Sequence, residues 1–415
     1  MSVSRSATRV TAAAAALALL VSGCGSSGEK DIEEAAPPPV EEATKHPTDS
    51  FASAELRKGT EEMQELAHTI ATAIDEHRHL DGDTASKAAE MLDGFDFTLR
   101  ANVILMSLLT HAWISGGKHE DVEAAGHTLE ENTSSLVHHH LGTHYDRNTL
   151  EHFEGYWNNQ ATSIVDYAQA AAKKDAATQT HDRDELRRLA QELGTFVSRD
   201  LTNGNLNAAL LSEHLTKQME GSLAIVDAQA RGPDWHLNLE PTLEHATEFA
   251  KMLAGGVARE AAVQDKIDTQ ASLLLSELTG RLADHVYFTG LTTGAIIRDE
   301  PQAVASASAL VKTNTEKLAE VFNGTYGEEV AGRVRTLWEH QATLFEDYAH
   351  KLRAHDATGV EHAKEELAHS SKEFGEFIGT TTEHMVEPTA VEARMNRAIE
   401  TLIEAVRAQA RAAGH

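Results

Sequence analysis

One cysteine and eight prolines in 415 residues set the first limits on this chain. A single thiol excludes any intrachain disulfide and any pair of metal-binding thiolates. So few prolines leave long stretches free to stay helical. No stretch shows sustained alternation of apolar and polar residues, the period a half-buried strand needs. Basic charge is also short, with 36 Lys and Arg against 65 Asp and Glu and a formal net charge of −29. That sign opposes binding to nucleic acid and docking of the body on anionic lipid. It favours solubility and leaves room for a cationic or protein partner.

The chain starts with a short basic region, Arg5 and Arg9, and an apolar run from Val10 to Val21 that is brief for a bilayer span. The run ends in VSGC, residues 21 to 24, with the only cysteine last. A branched apolar residue, two small residues and Cys form a lipobox, so residues 1–23 read as a lipoprotein signal peptide and Cys24 as the lipid-attachment site. Removing Arg5 and Arg9 with the signal takes the charge from −29 to −31. Residues 24–52 hold three consecutive prolines, small residues and many acids, and read as a disordered acidic tether. An acylated glyceryl group carries enough chains for stable anchoring. The expected location is therefore the cell membrane, lipid-anchored through a palmitate-type modification, with the body outside the cytoplasm.

The rest reads as all-α. Breakers divide it into segments of roughly 20 to 30 residues with short connections, the pattern of antiparallel bundles. Asp81-Gly82, Gly116-Gly117, Gly142, Asn203-Gly204 and Gly232-Pro233 are expected helix ends. The helix that starts at Glu240-Pro241 is expected to fade at Gly255-Gly256, with a new series from about Glu260. The run ANVILMSLLTHAWI, residues 101 to 114, reads as a central buried helix.

The body also repeats itself. WNNQATSIVDYAQAA, residues 157–171, and WEHQATLFEDYAHKL, residues 338–352, agree at seven of fifteen positions with an offset of 181. At the same offset Asp175 meets Asp356, Gly194 meets Gly375 and Phe196 meets Phe377. Two tandem antiparallel helical bundles follow, residues 84–258 and 259–415, with an N-terminal helical segment 53–83 left over. The first copy has six helices and the second five. The leftover helix is expected to pack on the second copy in place of the missing one.

Trp157, Gln160 and Tyr167, like Trp338, Gln341 and Tyr348, lie 3 and 7 residues apart and share one helix face. As a core seam this stripe repeats because the bundle repeats; as a ligand groove it would be lined by Trp, Gln and Tyr. His340 in the second copy stands where the first has Asn159. Histidine is abundant, with 24 residues, including a run at 138–140. Adjacent helical histidines point in different directions and cannot all reach one ion. No phosphate-binding loop, His-Glu-x-x-His motif or nucleophile elbow is present, so no catalytic residue is assigned and an enzyme is not the favoured reading.

The helix pattern is similar to a poorly characterised repeat of exported bacterial, often actinobacterial, lipoproteins, some labelled copper amine oxidase-like. The matching pieces are L-x-x-x-x-x-H-V-Y-F around His285, W-x-x-H at His340 with its downstream Asp-Tyr, the stretch at Asp356, LLSEHLTKQMEGSLAIVDAQARG with His214, and EHATEFAKMLAGGVA with His245. The resemblance implies copper as a candidate cofactor, held by helix-borne histidines: His214 and His245 in the first copy, His285 and His340 in the second. Amine oxidase chemistry is not implied, because it needs a β-rich catalytic domain. Two functional expectations result. One is a non-enzymatic binding or scaffolding role at the cell envelope. The other is copper or other metal handling.

Overall fold

Two central helices organise the body, because their sequences leave almost no polar face. A computed structural model describes residues 52–415. The signal segment, Cys24 and nearly all of the tether lie outside the described residues. Twelve α-helices and no strand are found among those described. They are α1 (Ser53–Arg78), α2 (Lys87–Ile114), α3 (His119–Ser134), α4 (Arg147–Lys173), α5 (Ala176–Phe196), α6 (Ala208–Arg231), α7 (Leu239–Glu260), α8 (Gln270–Ile297), α9 (Pro301–Tyr326), α10 (Glu328–Arg353), α11 (Ala357–Thr381) and α12 (Pro388–Ala413). The fold is all-α.

In α2, 21 of 28 residues are buried, and in α8, 24 of 28. Burial on nearly all sides marks both as cores of their groups. Around α2 pack α3, α4, α6 and α7; around α8 pack α9, α10, α12 and α1. The two central helices also pack on each other. Of the described helices only α2 is long and apolar enough to cross a membrane, and 78% of that stretch is buried within the body.

Equivalent caps start the two central helices: Ser86 accepts from the Ala89 amide, and Thr269 accepts from the Ser272 amide. Each cap satisfies an amide that the first helical turn leaves free. Asp175 and Asp356 cap α5 and α11 in the same way. Buried amide side chains then clamp the helices at matched places. Gln229 of α6 donates to the Ser107 carbonyl at 2.8 Å and accepts from Thr110 at 2.9 Å. Gln409 of α12 donates to the Gly290 carbonyl at 2.8 Å and accepts from Thr293 at 3.1 Å. Asn132 of α3 bonds the Thr98 carbonyl at 3.0 Å, as Asn314 of α9 bonds that of Arg281 at 2.8 Å. In Gln229 and Gln409 donor and acceptor are both used, so these amides are well satisfied in a dry core.

The first helix lies against α8 and α12, as α7 lies against α2 and α6. With α1 and α7 in matching places, their sequences align at an offset of 187. Leu56, Thr60, Glu61, Leu66, Ala67 and Ala71 match Leu243, Thr247, Glu248, Leu253, Ala254 and Ala258, six of the sixteen positions in 56–71. Gly290 of α8 permits the close approach, since a Cβ there would sit 2.4 Å from Leu56 Cδ2.

Some helix ends differ from those the breakers suggest. The seventh helix does not fade at Gly255-Gly256 but continues to Glu260, and the next starts at Gln270. Gly256 is a packing residue there, because a Cβ would meet Thr202 and Leu206 at 2.6 Å. Asn323-Gly324 lies within α9, which runs on to Tyr326. Two π-helical turns, Ser135–Leu141 and Val197–Leu201, extend α3 and α5. Their counterparts in α9 and α11 are regular α-helix.

A buried ionic seam joins the groups. Arg100 of α2 bonds Asp284 of α8, and also Thr247 of α7 at 2.7 Å. Thr247 in turn donates to Asp96 at 2.7 Å, and Ser276 of α8 donates to the same carboxylate at 3.0 Å. Arg281 bonds Glu240 at 2.8 Å, and Lys317 of α9 bridges Glu240 and Glu244. Burial works against the Arg100 charge, but Asp284 and Asp96 outweigh it and hold the guanidinium pKa above its usual value.

Candidate functional site

Spacing alone puts the repeated Trp, Gln and Tyr on one face of α4 and of α10, and in both helices that face points inward. Trp157, Gln160 and Tyr167 are buried in the first group; Trp338, Gln341 and Tyr348 are buried in the second. Beside each Trp lies a void of about 10 Å3. That is about the room one water needs, and too little for an organic ligand. The tyrosine hydroxyls reach outward from the stripe and find different partners. Tyr167 donates to Asp227 at 2.8 Å and accepts from Arg183 at 2.6 Å. Tyr348 accepts from Arg407 at 3.1 Å.

The four candidate metal-binding histidines are distributed over four helices. His214 on α6 and His245 on α7 are half-buried, His285 on α8 is buried and His340 on α10 is exposed. Among the described residues no group of three or more His, Cys, Asp or Glu is placed to hold a metal ion. The histidine run falls on the first π-helical turn. His140 bonds Thr98 at 3.1 Å, His139 meets it edge-on, and His138 lies 4.0 Å from Glu154.

His285 is 1% exposed and stands edge-on to Trp338, with ring centroids 4.5 Å apart. Neither ring nitrogen has a hydrogen-bond partner among the described residues. Burial alone lowers its pKa to about 3, so it stays neutral in the fold. An unfolded histidine protonates near 6.5. Between those values the unfolded chain binds the extra proton, and stability falls as pH drops from about 6.5 toward 3. Replacing His285 with Phe removes two unpaired polar atoms. It is expected to leave stability at pH 7 equal or up to about 2 kcal/mol higher. It should also flatten the loss on acidification, read as urea midpoints across pH. A marked destabilisation at pH 7 would show that the imidazole makes an interaction its surroundings do not reveal.

A different place has room for a ligand. On the first group an open groove of about 520 Å3 runs between α4 and the π-helical end of α5. Small-molecule sites usually span about 300–1,000 Å3. The first four turns of α4 supply Asn148, Glu151, His152, Tyr156 and Asn159. Arg199 and Asp200 come from the π-helical turn, where the wider winding presents two adjacent side chains to the groove. Phe196 lies at its base, with Tyr156 tilted on it at 5.4 Å and His152 edge-on at 6.4 Å. Both carboxylates are already paired: Glu151 with Arg147 at 2.6 Å, and Asp200 with Arg199 at 2.7 Å.

This groove is where the two copies part. At the offset of 181, Tyr156 meets Leu337, Asn159 meets His340, Glu151 meets Gly332, and Arg199 and Asp200 meet Thr380 and Thr381. Phe196 alone keeps its identity, as Phe377. The stripe one step inward is nearly invariant between copies. Apart from Asn159, the groove residues escape a reading of the sequence by motif, because they join two helices 40 residues apart. The available signal is the register of the repeat.

No protein-family model matches the chain, and neither a curated protein nor a solved structure does.

Proposed function

We propose that the chain is a lipid-anchored protein of the cell envelope, held outside the cytoplasm by Cys24, with a non-enzymatic binding or scaffolding role. The lipobox and its lone cysteine support the anchor, and the acidic, proline-containing tether supports a body held clear of the membrane. The observation that carries the binding role is the open polar groove on the first group. It stands on a body in which Arg100 is paired with Asp284 and Arg281 with Glu240 inside the fold.

The anchor is tested with radiolabelled palmitate in a producing bacterium. Cys24→Ala is expected to abolish the label and shift the protein from the membrane fraction to the soluble one. Unchanged labelling would overturn the anchor. The binding role is tested by crosslinking in intact cells: a reproducible captured partner is expected, and none would overturn it.

A further inference from the structure

We propose that the groove between α4 and the π-helical end of α5 binds a neutral, polyhydroxylated ligand of the carbohydrate class. The proposal rests on the binding role above and assigns it a site and a chemistry.

Charge narrows the ligand first. The protein as a whole is strongly acidic, yet the two carboxylates facing the groove each have an arginine of their own. The lining itself holds two carboxylates and one arginine, and Arg147 beside it offsets the second carboxylate, so the local charge is small and favours neither an anion nor a highly charged cation. The hydrogen-bonding groups narrow it further. Asn148 and Asn159 each offer a donor and an acceptor on one planar amide. A hydroxyl is likewise both donor and acceptor, so vicinal hydroxyls suit amides and a paired Arg199–Asp200 edge. Tyr156, half-buried and braced on Phe196, adds an aromatic surface with a polar tip, which suits the C–H face of a sugar ring.

The duplication supplies a comparison inside the same molecule. In the second group these positions carry Leu337, His340, Thr380 and Thr381, and the supporting helix end has no π-helical turn. The chemistry of the groove therefore belongs to the first group only, on a scaffold that both share.

The test is calorimetric titration of the full lipidated protein in detergent with maltotriose and triacetylchitotriose. Spermidine serves as the cationic probe and inorganic phosphate as the anionic one. At least one saccharide is expected to bind, and Tyr156→Ala and Asn159→Ala each to weaken it by about tenfold or more, the effect of one lost well-made contact. His340→Ala, at the matching place in the other group, is expected to change nothing. Binding of spermidine or phosphate without either saccharide would overturn the proposal, as would saccharide binding indifferent to Tyr156→Ala. Crosslinking in cells with the wild-type protein separates the two levels. A captured partner alongside failed saccharide binding rejects the ligand class and keeps the binding role; no capture as well rejects both.

Discussion

A chain lacking residues 53–80 is expected to lose the folded state of its second helical group. The deletion removes Leu56, Met63, Leu66, Ile70 and Ile74, all at most 2% exposed, from the surface of α8 and α12. Burying such side chains contributes about 1.5–3 kcal/mol each, so the five together reach on the order of 10 kcal/mol. A whole domain is typically stable by only about 5–15 kcal/mol. The deletion also leaves apolar faces of α8 and α12 open to water, a ready surface for aggregation. Far-UV circular dichroism on heating should show a lower midpoint and a broadened transition, because α7 still completes the first group. A melting curve like that of the intact chain would mean that α1 is dispensable.

Arg100→Leu is the point substitution with the largest expected cost, about 3–5 kcal/mol. The guanidinium holds three elements at once, reaching Asp284 on α8, Thr247 on α7 and, through Thr247, Asp96 on its own helix. Without it Asp284 is a carboxylate 1% exposed, whose pKa burial already pushes up against the pull of Arg100 and Arg281. The cost therefore comes mainly from the charge left behind rather than from the bond lost. Arg100→Leu combined with Asp284→Leu removes both charges and is expected to recover most of the stability, since well-packed apolar side chains often replace a buried pair at little cost. Urea midpoints of the two single variants and the double variant measure this coupling. A single-variant loss below about 1 kcal/mol would show that the pair is well hydrated.

Much of this architecture is legible in the sequence because helical breakers and periodicity are local. Asp81-Gly82 and Gly116-Gly117 fall in the connections that flank α2, and Gly232-Pro233 directly follows the end of α6. Glycine is less reliable, since it breaks a helix only where its conformational freedom is used. Gly255 and Gly256 serve close packing instead, and the helix runs through them. The glutamine clamps are invisible locally, because Gln229 and Gln409 bond residues about 120 positions away. The kinship of α1 and α7 is also hidden, since the matching helix opens the described body instead of closing it. For the site, the repeated Trp, Gln and Tyr are conspicuous because the core they fill is the same in both groups. Function is better sought where the copies differ on the surface. Asn159 against His340 is one such place, and it leads to the groove.

By its packing on α8 and α12, α1 takes the place in the second group that α7 takes in the first. Site-resolved hydrogen exchange on the chain lacking residues 53–80 tests it most directly. Amides of α8 and α12 are expected to lose slow exchange while those of α6 and α7 keep more of theirs. Unchanged protection in α8 and α12 would contradict it.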